Sequence, residues 1–142
     1  MRTVRDADGN SYLVVKESDE STLVRDPETG TERYVANESL HDATGSSPLD
    51  VAASAVSPGV RRVLSATHDD RSLGLLVELV DRGPVGVRTL LGEYDLCESD
   101  LLGLLTEFRA AGLVEEARVA GERGYEATDL AVEGVGELRR GA

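Results

Sequence analysis

Asp6, Asp8 and Asn10 alternate along one polar turn, and alternating oxygen donors are how a calcium loop opens. That loop requires glycine at its sixth position, whereas Gly9 falls fourth, so a plain hairpin turn is the better reading. His41 and His68 have no clustered ligands around them, and Asp69 and Asp70 beside the second are placed to cap a helix. Cys97 is the single cysteine, which excludes an intrachain disulfide and a multi-cysteine zinc site. Its ordinary role is that of a buried small apolar side chain, with oxidation at a helix start as the alternative. No nucleophile, base and orienting group occur together, and no glycine-rich phosphate loop is present, so neither an enzyme nor a cofactor or metal is expected. Asn37-Glu38-Ser39 matches a glycosylation sequon, read as accidental.

The chemistry that remains is hydrogen bonding and charge. The stretch from Leu96 to Val114 places Leu101, Leu105 and Phe108 on one helical stripe, and Gly112 closes the helix before an alternating strand segment. With that stripe turned to a core, helical spacing puts Glu98, Ser99, Leu102, Gly103 and Thr106 on the opposite side, with Asp100 at its edge. Ser99 and Thr106 offer hydroxyls, Leu102 an apolar contact, and Gly103 room for close approach. Basic residues nearby are Arg88, Arg109, Arg118, Arg123, Arg139 and Arg140.

The elements that position these groups read as an α+β chain. Residues 1–40 form an antiparallel β-meander of three or four strands, with Asp-Gly and Pro-Glu-Thr-Gly turns between Val-, Leu- and Tyr-rich segments. Residues 41–69 read as a polar linker and two short helices, each opened by Ser-Pro, at Ser47-Pro48 and Ser57-Pro58. Val60, Val63 and Leu64 supply the second helix's apolar stripe. In residues 70–142, Leu73, Leu76, Val77 and Val80 mark a helix stopped by Gly83-Pro84. Val85-Gly86 is a short edge strand, and Val87 to Tyr94 a second helix with Val87, Leu90 and Leu91 inward. A hairpin tip follows at Gly121 to Gly124, and then a final helix from Asp129 to Arg140, weakened by Gly134 and Gly136 at about 1 kcal/mol each.

The phrases "DRGPVGVRTLLGEYDLCESD" and "AGLV", running on through Gly121-Glu122-Arg123-Gly124 to Thr128, resemble winged helix-turn-helix regulators of the MarR, ArsR and TrmB type. The resemblance covers about half the chain and implies a winged helix-turn-helix domain after the meander. It also implies double-stranded DNA as partner and Leu96 to Val114 as the recognition helix. Ser99, Leu102, Gly103 and Thr106 would then face the major groove, and Arg88, Arg118 and Arg123 would approach phosphates from helix two and the wing. In that family the last helix often forms a homodimer seam. Cys97 stands where the family has a Ser or Thr cap.

The 142 residues carry a formal charge of -12, and Lys16 is the only lysine among fifteen basic residues. High Asp and Glu with Arg in place of Lys resembles the proteins of salt-accumulating haloarchaea. In molar salt the Debye length is about 3 Å, so net acidity argues little against nucleic-acid binding. No apolar run approaches the roughly 20 residues that span a bilayer, so a cytoplasmic protein with no membrane partner is expected. Two functions fit. One is a homodimeric DNA-binding transcriptional regulator. The other is a winged-helix protein-interaction module of transcription or replication machinery, the meander supplying an edge strand to its partner.

Overall fold

A computed structural model describes residues 1–43 and 45–141; Thr44, within the expected linker, and Ala142 lie outside the described residues. The chain is α+β and divides into two compact units, residues 1–56 and 57–142.

The first unit is a five-stranded antiparallel sheet. β1 (Thr3–Arg5), β2 (Ser11–Glu17), β3 (Ser21–Arg25), β4 (Glu32–Ala36) and β5 (His41–Asp42) stand in the order β4-β3-β2-β1-β5. β5 corrects the sequence reading, which gave its residues to a linker. Two residues carry too little pattern to be seen as a strand, and pairing with Val4 and Arg5 is what makes them one. The Asp6 carboxylate organises the first turn: one oxygen accepts from the backbone N–H of Asp8 at 3.0 Å and of Asn10 at 2.9 Å. The other accepts from the Tyr12 hydroxyl at 3.1 Å. Val4, Tyr12 and Val24 are buried together, and α1 (Pro48–Ala53), capped by the Ser47 hydroxyl, packs against β2.

The second unit runs α2 (Pro58–Ala66), α3 (Asp70–Arg82), β6 (Val85–Gly86), α4 (Val87–Glu93), α5 (Glu98–Ala110), β7 (Val114–Val119), β8 (Glu122–Ala127) and α6 (Asp129–Arg140). The three strands form an antiparallel sheet in the order β6-β8-β7. Its core joins Leu75, Leu76 and Leu79 of α3 to Leu90, Leu101, Leu105 and Phe108, with Leu113, Val114, Tyr125 and Val135 around them. Leu101, Leu105 and Phe108 are fully buried, as the spacing requires.

Two apolar readings need correction. On α3 the buried positions are Ser72, Leu75, Leu76 and Leu79, while Leu73 is exposed and Val77 and Val80 are half-buried. The segment Leu73 to Val80 contains two overlapping apolar stripes, and packing selects the one that spacing alone did not. On α2 Leu64 is exposed and Gly59 and Ala66 are buried with Val60 and Val63. On α4 Leu90 is fully buried and Val87 and Leu91, half-buried, pack against the same core, as their spacing requires.

Gly59 and Gly134 explain α6. A Cβ on Gly134 would stand 2.4 Å from the Gly59 carbonyl oxygen, so α2 and α6 meet backbone to backbone. Gly134 is therefore a packing requirement rather than only a helix weakness.

Candidate nucleic-acid interface

α5 is fixed at both ends. At its start Cys97, exposed rather than buried because it precedes the first turn, is the cap residue but makes no capping hydrogen bond, since a thiol is a weak acceptor; its sulfur lies 3.3 Å from the Ser99 hydroxyl. At its end Gly112 has φ 76°, its N–H donates to the Arg109 carbonyl at 3.0 Å, and the Leu113 N–H donates to the Phe108 carbonyl at 2.8 Å. This is a Schellman closure, with Leu113 and Phe108 both buried, and it turns the chain directly into β7. Thr128, which caps α6, donates its hydroxyl to the Gly112 carbonyl at 2.6 Å and so ties α6 to the same corner.

The hairpin is tighter than its glycines suggested. Ala120 and Gly121, both at positive φ, form the two-residue turn, and Val119 pairs with Glu122. Gly124, read from sequence as part of the tip, lies inside β8 opposite Ala117 and Gly86. A Cβ there would meet the Val85 carbonyl oxygen at 2.6 Å, so β6 can pair so closely only with glycine at this position. At Gly86 the Glu122 carboxylate lies across the backbone, a flexible side chain that could move aside for a Cβ.

This register sets Arg118 directly opposite Arg123. Like charges so placed repel, and each guanidinium turns to another acceptor. Arg118 Nη1 donates to the Gly121 carbonyl at 3.1 Å. Arg123 Nη2 donates to Glu116 Oε1 at 3.1 Å and to the Tyr125 hydroxyl at 2.7 Å, and its guanidinium lies 5.6 Å from the Tyr125 ring centre. Glu116 also accepts from Arg109 Nη1 at 3.0 Å. Arg123 therefore projects as a strand residue in a web of partners rather than as a free tip.

Arg88, Leu102 and Arg123 come together around one open groove of about 710 Å³, between the start of α4, the first turns of α5 and the hairpin tip. Arg88 is exposed and makes no ion pair among the described residues. Glu98 and Glu122 line the same groove, so its charge is mixed. Leu102 and Leu104 are half-buried against the core, not free surface leucines. Ser99, Gly103 and Thr106 are exposed on α5 but do not line the groove. The Thr106 hydroxyl donates to the Leu102 carbonyl at 2.7 Å, leaving it only an acceptor for a ligand. A Cβ on Gly103 would meet nothing within 4 Å, so no contact inside the chain demands glycine there.

Sequence reasoning missed one contact beside this face. His68 Nε2 and Glu107 Oε2 lie 2.9 Å apart, joining the corner before α3 to α5. A partner 39 residues away leaves no local signal in the sequence.

The family profile described as "Family of unknown function (DUF7346)" matches residues 1–139. The chain belongs to this family. The match runs through both units of this DUF7346 chain, so the sheet is as much part of the family as the helices. No curated protein and no solved structure matches it. Among the described residues no helix is long and apolar enough to cross a membrane.

Proposed function

We propose that the chain is a DNA-binding transcriptional regulator of winged helix-turn-helix type, acting as a homodimer in a salt-rich cytoplasm. The element order helix, short strand, helix, helix, hairpin, helix supports the winged-helix reading, with α5 as recognition helix and the β7–β8 hairpin as wing. The observation that carries it is the meeting of Arg88 and Arg123 at one groove beside α5, with Arg118 adding a second guanidinium on the hairpin. A phosphate entering this groove competes with Glu98, Glu122 and Glu116 for these guanidiniums and finds Arg88 without an ion pair among the described residues. Among the outward residues of α5 only Arg109, in the last turn and paired with Glu116, carries a donor suited to base edges, so backbone contacts dominate and Ser99, Leu102 and Thr106 tune preference. At molar salt the distant carboxylates are screened over about 3 Å, while direct guanidinium–phosphate contacts persist.

Fluorescence anisotropy with genomic duplex fragments in molar KCl tests this. Arg88→Ala is expected to weaken binding across all fragments and to lower the salt slope by about one. Absence of binding to every fragment overturns the reading. A protein-interaction module is the second reading, favoured by Val87, Leu91 and Leu102 lining a groove flanked by Glu98 and Glu122. Glu98→Gln separates the two: it strengthens duplex binding if the groove meets phosphate, and weakens capture of a protein partner if the groove meets protein.

A further inference from the structure

α3 and the connection Tyr94 to Leu96 are pinned together at two levels and stand apart between them. At one level Arg71 Nη2 donates to the Asp95 carbonyl at 2.9 Å. At the other the Tyr94 hydroxyl donates to Glu78 and accepts from Arg82 Nη1 at 2.9 Å, Arg82 also pairing with Glu93. Between them lies a cleft of about 320 Å³, walled by Gly74 and Leu75 on one side and Tyr94 and Leu96 on the other.

Gly74 sits in the interior of α3, where glycine is a poor helix former. Its backbone is helical and a Cβ would meet nothing within 4 Å, so neither conformation nor packing inside the chain calls for glycine. What its missing side chain does is leave the cleft open. A leucine pair, a tyrosine and a bare helix backbone favour a flat apolar body, and the volume matches the smaller ligand pockets. The charged residues at the cleft are Glu78 and Asp95 against Arg71, which disfavours an anion. Arg71 spends one N–H on the Asp95 carbonyl and has others for a neutral acceptor.

We propose that this cleft binds a small uncharged single-ring compound bearing one hydrogen-bond acceptor, its ring between Gly74 and Leu96 and its acceptor toward Arg71. Leu96 immediately precedes Cys97, the cap residue of α5, so the occupied wall is the one that leads into the proposed recognition helix.

Benzamide is the probe, titrated into the full chain while the amide resonances of Gly74 and Leu96 are followed, with benzoate as its charged counterpart. Saturable shifts at millimolar benzamide are expected, with at least tenfold weaker binding of benzoate. Gly74→Leu, which fills the cleft, is expected to abolish the shifts at Leu96. If that variant does not fold, Gly74→Ala is expected to weaken benzamide several-fold. No saturation with benzamide, equal affinity for benzoate, or undiminished binding in the folded Gly74 variant overturns the proposal. None of these readouts involves nucleic acid, so they stand apart from the regulator reading.

Discussion

Arg118 and Arg123 share one cross-strand position, and the hairpin tolerates the repulsion by giving each guanidinium its own acceptor. Arg118→Glu converts that pair into opposite charges on adjacent strands. The expected outcome is a higher Tm together with weaker duplex binding; thermal melts and anisotropy on the same sample check both. Asp69 makes a second residue-level case. It accepts from the Ser72 N–H at 2.8 Å in a capping box, and the Ser72 N–H and hydroxyl hold its carboxyl below the ordinary value of 3.8. A depressed carboxyl stabilises the fold above its unfolded pKa and loses that contribution as pH falls through the folded one. The Tm of the chain is therefore expected to fall below pH 3.8 more steeply than that of Asp69→Asn, which keeps an acceptor but no titrating charge. These caps were legible in sequence because they span three residues. The Glu116 web was not, because its partners Arg109 and Arg123 meet only after the hairpin register is set. The Thr106 bond to Leu102 lay within reach of sequence reasoning, being the ordinary backbone option for a helical threonine.

At the scale of elements, α5 was the clearest stretch to read. Leu101, Leu105 and Phe108 admit one helical phase, and Gly112-Leu113 closes it by a motif with its own signature. α3 was ambiguous because Leu73, Leu75, Leu76, Val77, Leu79 and Val80 support two phases, and only the neighbouring helices decide. β5 was hidden by brevity, and the exact turn by Gly124, whose role is to admit β6 rather than to bend the chain. Gly103 tests whether α5 is shaped for contact. Gly103→Ala meets no atom and gains helix propensity, so stability is expected to rise by about 1 kcal/mol in chemical denaturation. If α5 approaches a duplex closely, the same variant is expected to bind DNA more weakly, measured by anisotropy beside the denaturation curve.

For the molecule as a whole, sequence sufficed for the α+β class, because runs of alternating segments precede runs of helical ones. The excess of acid extends through both units, and self-repulsion in a chain of charge -12 opposes compaction. Raising KCl from 0.1 to 2 M is expected to raise Tm; a flat or falling Tm would remove the halophilic reading. The side-chain-free joint of Gly59 and Gly134 bears on how such a chain is made. Gly59 and Gly134 stand 75 residues apart, so α2 is synthesised well before the helix that seats against it. Until α6 has emerged Val63 lacks its Val135 neighbour, so the nascent helical unit carries a bare seam while everything between the two glycines is being made.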